Sequence, residues 1–262
     1  MKKSLGQHFL INQSAIDRIV AAVSPQAGEV VIEIGPGAGA LTKPLAEQCA
    51  KVGARLIGIE KDEALVGPLA RELADWPNAE IVSADVRTEL PRLTSQLGAY
   101  QLVGNIPYYI TGALLRLIGE LPQGPRLTTL MIQREVAERV CSPAGQMSLL
   151  AAATQIWAEP RLMFVLPPSD FDPPPQVHSA VIQLVTRSDI PDQKTLESYY
   201  RALHIIFKQP RKTLLNNLAE ALPSRQEASG FLQRLDLPEN SRPQDLTIAA
   251  CLQLSKFLPP PY

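Results

Sequence analysis

Short apolar runs alternate with amphipathic stretches along the first 185 residues, and this alternation constrains the fold more than any other feature of the sequence. A strand followed by a helix, repeated several times, is typical of a parallel sheet with helices on both faces. The predicted strands are Val30–Ile34, Arg55–Ile59, Glu80–Ala84, Gln101–Gly104, Leu127–Ile132, Leu162–Leu166 and Val177–Val185. The predicted helices are Asn12–Val23, Leu41–Ala50, Asp62–Ala74, Thr111–Gly119 and Arg134–Cys141. The last two strands are joined by a short proline-rich segment, which predicts antiparallel pairing between them.

The polar segment Thr186–Gln193 marks a domain boundary, because only helical patterns follow it. These helices are predicted over residues 195–207, 211–221, 224–235 and 245–257, and prolines separate them. The sequence therefore predicts an α/β domain over residues 1–187, built on a seven-stranded and mostly parallel sheet, and a small all-helical domain over residues 188–262.

The charge of the chain is low but uneven. The formal net charge of −1 argues against a protein that coats nucleic acid without selectivity. Residues 1–185 contain 15 Lys and Arg against 18 Asp and Glu, whereas residues 201–262 contain 8 against 5, so their net charges are −3 and +3. A basic C-terminal region favours a polyanionic partner, although such a charge is also ordinary for a solvated surface.

Neither a membrane span nor a metal site is predicted. No run of about 18 apolar residues is present, and the N-terminus does not resemble a signal peptide. Cys49, Cys141 and Cys251 lie far apart, with neither the spacing of a disulfide framework nor that of a metal site. We therefore expect a cytoplasmic protein that binds no metal.

A glycine-rich turn follows the first strand of the predicted sheet, in the segment Val30–Thr42. Gly35, Gly37 and Gly39 allow a sharp bend and a close approach of the backbone to a ligand. Glu33 ends this strand and Glu60 ends the next, at the sheet edge where ligands bind in open α/β folds. A carboxylate there can accept hydrogen bonds from both hydroxyls of a ribose.

The same turn is less suited to a dinucleotide. Its glycine spacing differs from G-x-G-x-x-G, and Pro36 lacks an amide that a pyrophosphate would use. S-adenosylmethionine has a ribose and no phosphate, so the turn favours it over a nicotinamide or flavin cofactor. A turn made only for packing is the other interpretation.

Asp85 ends the third predicted strand on the same edge of the sheet. Its carboxylate can accept a hydrogen bond from the adenine amine of the cofactor. The alternative is that Asp85 only caps the helix that follows.

The turn after the fourth strand, G-N-I-P-Y-Y-I-T, is the most specific signal in the chain. Asn-Ile-Pro-Tyr resembles the motif of amino-methyltransferases that act on adenine N6 or similar planar amines. Hydrogen bonds from this amine to the Asn105 side-chain oxygen and the Ile106 carbonyl would localise its lone pair. Pro107 would fix the turn, and Tyr108 would stack on the base. An ordinary strand-to-helix turn is the alternative.

Four further segments narrow the resemblance. They are Lys3–Leu10, Met131–Val140, Phe171–Ile182 and Arg211–Leu218. Together they resemble the bacterial small-subunit (16S) rRNA adenine-N6,N6-dimethyltransferase family over nearly the whole chain. The resemblance implies a Rossmann-like, S-adenosylmethionine-dependent methyltransferase with a helical RNA-binding domain. It also implies dimethylation of two adjacent adenosines near the 3′ end of 16S rRNA, in an immature 30S subunit. We expect a monomer.

The resemblance also implies roles for individual residues. Those expected to contact the cofactor are His8, Leu10, Gly35, Glu60, Asp85 and Asn105. His8 and Tyr109 both stand where asparagine is frequent in the family. Phe171 matches the position that stacks on the other face of the target base, but it is equally a hydrophobic anchor for the proline-rich turn. Lys208, Arg211 and Lys212, expected at a helix start that would favour acids, are predicted to bind RNA phosphates.

Besides a nicotinamide oxidoreductase, which would need a better phosphate-binding turn, two other functions stay open from the sequence. An adenine-N6 methyltransferase acting on large-subunit (23S) rRNA would share the fold and the Asn105–Tyr108 turn. A non-catalytic RNA-binding assembly factor on the same fold is the second alternative.

Overall fold

The computed structural model describes residues 8–258, and its strands follow the predicted alternation. The strands are β1 (Phe9–Leu10), β2 (Val30–Ile34), β3 (Arg55–Glu60), β4 (Ala79–Ser83), β5 (Tyr100–Asn105), β6 (Leu127–Gln133), β7 (Ala158–Leu166), β8 (Phe171–Asp172) and β9 (Ser179–Thr186). The helices are α1 (Gln13–Val23), α2 (Thr42–Val52), α3 (Glu63–Glu72), α4 (Val86–Thr94), α5 (Thr111–Gly119), α6 (Arg134–Val140), α7 (Leu149–Gln155), α8 (Gln193–Ile206), α9 (Leu214–Ala219), α10 (Arg225–Arg234) and α11 (Ile248–Ser255).

The main sheet has seven strands in the order β4-β3-β2-β5-β6-β9-β7. The strands from β2 to β6 pair in parallel, and β9 runs antiparallel to β6. The predicted seven-stranded, mostly parallel sheet is therefore confirmed, and its last two strands are neighbours. Because the five parallel strands end at one edge, the turns that follow β2, β3 and β5 meet there.

The sequence patterns missed three local features. Helix α4 contains Pro91, and only Ala84 and Asp85 separate it from β4, so its pattern was too short to recognise. Helix α7 is a short apolar run that lacks a clear period. The two-residue strands β1 and β8 pair with each other and carry too few residues for a pattern.

The chain divides into two compact units. One runs to Ala137 and takes in Glu159–Thr186, and the other consists of Glu138–Ala158 and the chain from Arg187 onwards. The sequence placed the boundary after residue 187 and did not assign the segment with α7 to the helical unit. Within that unit the buried Tyr199 of α8 donates a hydrogen bond to the carbonyl of Ala152 in α7, at 3.0 Å.

None of the helices that the structure describes is both long enough and apolar enough to span a bilayer.

Candidate active site

The glycine turn after β2 is braced from β3. Gly35, Gly37 and Gly39 have φ angles of +68°, +59° and +85°, a region that side-chain-bearing residues rarely adopt. The Glu60 carboxylate accepts hydrogen bonds from the backbone amides of Gly37 and Asp62, at 3.0 and 2.8 Å. Glu60 is only 5% exposed, so its carboxyl group is held against the turn rather than in solvent. The turn is therefore fixed in shape before any ligand arrives.

Glu33, at the end of β2, is a buried carboxyl group without a full set of partners. It is 1% exposed, and its Oε2 has no hydrogen-bond partner among the described residues. Burial raises the pKa of Glu33 to about 8, and the neighbouring Glu60 carboxylate contributes to the rise. An unpartnered buried acid is costly, so its presence in a cavity wall indicates a site for a cationic ligand group.

The turn after β5 holds its polar groups in a fixed arrangement. The amide of Ile106 donates to the Met131 carbonyl at 3.1 Å, which ties the turn to β6. The Asn105 Nδ2 donates to the carbonyl of His8 at 3.0 Å, so its Oδ1 is the atom left to accept a hydrogen bond. The Tyr108 hydroxyl lies 2.9 Å from the hydroxyl of Ser179, which fixes the ring.

The segment that precedes α1 covers this turn. Strand β1 pairs with β8, with Leu10 opposite Phe171. His8 Nδ1 lies 2.7 Å from the carbonyl oxygen of Pro173, and its ring is nearly parallel to that of Tyr108. The Lys3–Leu10 signature is described only from His8 onwards, and residues 3–7 lie outside the described part of the chain.

One cavity brings most of the predicted site residues together. From the cofactor set it is lined by His8, Leu10, Gly35, Glu60 and Asn105. From the predicted catalytic turn (Asn105–Tyr108) it is also lined by Ile106, Pro107 and Tyr108. Glu33 lines the same cavity. Phe9 and Leu41 also line it, although neither was predicted as a site residue from the sequence. Ser179 was also missed, although it lies inside the recognised segment Phe171–Ile182.

Asp85 does not line the cavity. Its Oδ1 accepts from the backbone amide and Nε of Arg87, both at 3.0 Å, and its Oδ2 accepts from Arg87 Nη2 at 2.7 Å and Lys61 Nζ at 3.1 Å. The hydrogen bonds from Arg87 hold the pKa of this carboxyl group well below its usual range. These four bonds occupy the four lone-pair positions of a carboxylate. Asp85 thus caps α4, and its predicted contact with an adenine amine would need one of these bonds to open.

Phe171 is not presented to the cavity either. Its side chain is 3% exposed and belongs to the hydrophobic core formed by β1, α1 and their neighbours. The structure shows Phe171 as the anchor of the proline-rich turn. In this arrangement its ring cannot stack on a target base.

The predicted basic cluster lies differently from the expectation. Helix α9 begins at Leu214, with Thr213 as its N-cap, so Arg211 and Lys212 precede the helix. Lys208 and Lys212 both face Glu220, at 2.9 and 3.9 Å. The helix thus starts three residues later than predicted, and the cations lie just before its N-cap instead of in its first turn.

Comparison with known proteins decides the family. The family model for ribosomal RNA adenine dimethylases matches residues 1–259. The chain belongs to this family. Ribosomal RNA small subunit methyltransferase A of Xylella fastidiosa is 36% identical to this dimethylase over 265 residues, covering 97% of this chain and 94% of its own. The protein of the same name from Dehalococcoides mccartyi strain 195 is 34% identical over 250 residues, covering 94% of this chain and 84% of its own.

Solved structures agree on the fold of the dimethylase. The 23S rRNA methyltransferase ErmE is 26% identical, with a TM-score of 0.73, and the match covers 95% of this chain and 99% of that one. A dimethyladenosine transferase from Plasmodium falciparum has a TM-score of 0.78 at 23% identity, covering 94% of this chain and 96% of that one. The Rossmann-like methyltransferase fold is therefore confirmed, as is the predicted family.

Proposed function

We propose that this dimethylase transfers methyl groups from S-adenosylmethionine to the N6 amine of adenine in small-subunit rRNA. Its product would be N6,N6-dimethyladenosine at two adjacent positions near the 3′ end of 16S rRNA. The observation that carries the proposal is the orientation of the Asn105 amide. Because its Nδ2 donates to the His8 carbonyl, its Oδ1 is available as an acceptor, and the adjacent Ile106 lines the same cavity.

The residues of the cavity fit S-adenosylmethionine. Each Glu60 oxygen accepts one backbone hydrogen bond, which leaves each with a lone pair for a ribose hydroxyl. The unpartnered Oε2 of Glu33 suits a cationic group, and the cofactor is a cation. A side chain at Gly37 would place its Cβ 3.3 Å from the Phe9 ring, so the glycine keeps the cavity open. When bound, the cofactor supplies an electrophilic methyl group on a positively charged sulfur.

The catalytic turn would activate the amine by hydrogen bonding. The N6 lone pair of adenine is delocalised into the purine ring, so the amine is a poor nucleophile. Acceptance of its two N–H groups by Asn105 Oδ1 and the Ile106 carbonyl would localise the lone pair. Tyr108 would hold the base by stacking, and this alignment supplies much of the rate. No strong general base is required, because the amine becomes acidic only after it has attacked.

The proposed substrate, small-subunit rRNA, rests on the names of the most similar relatives compared above. Those at 34% and 36% identity carry a small-subunit name, whereas the 23S enzyme ErmE is 26% identical. We further propose that the cytoplasmic enzyme acts as a monomer on an immature 30S subunit. Methyl transfer would lie in residues 1–187 and RNA contact in residues 188–262. The side chains of Asp85 and Phe171 would have to move from the positions described above to contact the cofactor and the base.

The experiment is methyl transfer from labelled S-adenosylmethionine to unmethylated small subunits, with identification of the modified nucleoside. We expect N6,N6-dimethyladenosine, and a loss of at least about 100-fold for Asn105→Ala, because one preorganised hydrogen-bonding group is removed. Asn78→Ala is a matched control, since that amide donates to the Ala46 carbonyl away from the cavity. It should lower stability without abolishing transfer.

Each remaining result points to a different function. Transfer to large-subunit rRNA but not to small subunits would establish the 23S alternative. Tight binding to small subunits without transfer to either RNA would establish a non-catalytic assembly factor.

A further inference from the structure

Glu33 and Glu60 both line the cavity, and no lysine or arginine of the described chain lines it with them. The other titratable side chains in the cavity wall are His8, from the segment before α1, and Tyr108, from the turn after β5. The residues opposite Glu33 on β3 and β5 are uncharged. Glu33 is 1% exposed, and its Oε2 has no partner among residues 8–258. Neither solvent nor an ion pair within the described chain therefore balances a negative charge on Glu33.

The empty cavity keeps Glu33 in its neutral form. Burial raises the pKa of Glu33 to about 8, and the Glu60 carboxylate adds to the rise. A positive charge placed in the cavity acts in the opposite direction, because an opposite charge at close range favours the ionised carboxylate. The ionisation of Glu33 is thus coupled to the charge of the molecule that occupies the cavity.

The proposed cofactor and its demethylated product differ in that charge. S-adenosylmethionine carries a positive sulfur, whereas the sulfur of S-adenosylhomocysteine is uncharged. The ammonium and carboxylate groups of the amino-acid tail are present in both molecules and offset each other. A buried acid that ionises only beside a cation therefore has the property needed to distinguish the two molecules.

We propose that Glu33 makes the cavity select the charged cofactor over the product, by giving up its proton to solvent when S-adenosylmethionine binds and recovering one after methyl transfer. The inference rests on the proposed function and deepens it, since a cofactor contact alone would not separate substrate from product. Glu33 loses its counter-charge on transfer, because the sulfur keeps the electron pair of the broken sulfur–methyl bond. The new carbon–nitrogen bond leaves one proton on the amine to be lost to solvent, and Glu33 takes up its own proton from solvent.

The selectivity should depend on pH with a definite sign. Below about pH 8, binding of the cation must expel a proton from Glu33, so affinity for S-adenosylmethionine rises with pH, by up to roughly tenfold per unit. Affinity for S-adenosylhomocysteine lacks this rise, because no proton has to leave. A window from about pH 5.5 to 7.5 lies below the range of roughly 7.7–8.0 in which an α-amino group titrates, so the amino-acid tail keeps one charge state.

Calorimetric titration in buffers of different ionisation enthalpy counts the protons released on binding. For the wild-type protein at about pH 6.5 we expect release of roughly one proton per S-adenosylmethionine and none per S-adenosylhomocysteine. The ratio of the dissociation constant of the product to that of the cofactor should rise at least about tenfold across the window. In Glu33→Gln both the proton release and the rise of this ratio should be lost, because an amide does not ionise.

The exposed Glu47 on α2 provides the matched control. Glu47→Gln should retain the proton release and the rise of the ratio. His8 and Glu60 are unchanged in both variants, so their contributions cancel when Glu33→Gln is compared with Glu47→Gln. Thermal unfolding shows whether each variant is folded, and the proton count on the wild-type protein tests the inference without any variant.

Each contrary result has its own meaning. Equal proton release with both ligands would place Glu33 against the shared ammonium group and overturn the selectivity. Binding of S-adenosylmethionine without proton release, or release that persists in Glu33→Gln, would overturn it as well, while leaving the proposed function intact. Absence of any binding of S-adenosylmethionine would reject the proposed function, and the inference with it.

Discussion

Two neighbouring carboxyl groups in the cavity wall meet different environments. Glu60 accepts hydrogen bonds from two backbone amides. Glu33 is fully buried beside it and has an unpartnered oxygen, so its neutral form is favoured. Since two adjacent buried acids ionise together only at high cost, Glu33 keeps its proton near neutral pH while the cavity holds no cation.

The raised pKa of Glu33 predicts a pH-dependent stability difference. The folded state retains a proton that the unfolded state loses above its pKa of 4.5, so the free energy of unfolding falls as pH rises towards about 8. Glu33→Gln removes this dependence on pH. The free energy of unfolding of the variant, relative to that of the wild type, should therefore rise by about 2–4 kcal/mol between pH 5 and pH 8. Urea unfolding at both pH values measures the difference.

The exposed Glu47 gives the reference for this measurement. Glu47→Gln should shift the free energy of unfolding equally at both pH values. A Glu33→Gln difference that stays constant with pH would show that Glu33 is charged in the folded protein.

At the scale of elements, the position of the catalytic turn depends on how closely β5 approaches β2. Gly104 precedes Asn105, and a Cβ on Gly104 would lie 2.6 Å from the Ile34 carbonyl oxygen and 2.9 Å from Ile106 Cδ1. Both contacts are shorter than real Cβ atoms tolerate, and one is to backbone. The absence of a side chain at Gly104 therefore sets the spacing between β2 and β5.

Gly104→Ala should consequently damage both stability and activity. Overpacking against a strand backbone is expected to cost about 1–3 kcal/mol in the free energy of unfolding. Because the strands must separate, Asn105 also shifts, and methyl transfer should fall further than the unfolded fraction explains. Thermal unfolding and transfer assays on the purified variant measure the two effects.

Gly112 of α5 is the matched control, since a Cβ there meets nothing within 4 Å. Gly112→Ala should leave stability unchanged or raise it by up to about 1 kcal/mol, because alanine favours helices. Equal behaviour of the two alanine variants would show that strand spacing does not position Asn105.

At the scale of the whole molecule, RNA binding must overcome a net charge of −1. The residues from 201 onwards carry a net charge of +3, and the loop between α8 and α9 contributes Lys208, Arg211 and Lys212. Glu220 is shared by the two lysines and partly neutralises them. Arg211 is therefore the cation of this loop best able to contact a phosphate.

Charge reversal in this loop should weaken binding to small subunits and flatten its salt dependence. Each lost phosphate contact lowers the slope of log affinity against log salt by about one. We expect Arg211→Glu to have a larger effect than Lys212→Glu, and the double variant the largest. Binding isotherms at several salt concentrations provide the slope.

Lys51→Glu, an exposed reversal on α2, controls for the change in net charge. An unaltered slope in the double variant would remove this loop from the RNA interface.

The sequence by itself determined the sheet, the glycine turn and the catalytic turn. Their signals are local: apolar runs record which strands are buried, and Gly35 or Pro107 restricts the backbone at its own position. The strands of the main sheet were predicted to within a few residues for the same reason, except that β7 begins at Ala158 rather than Leu162.

Only the tertiary structure decided what each polar or aromatic side chain can reach. Asp85 follows β4 and Glu60 ends β3 at one edge of the sheet. Yet Arg87 and Lys61 donate hydrogen bonds to Asp85, whereas backbone amides donate to Glu60. His8 meets Tyr108 across 100 residues of chain, and Phe171 turns into the core instead. Contacts of this kind depend on packing between distant segments, which leaves no period or spacing in the sequence.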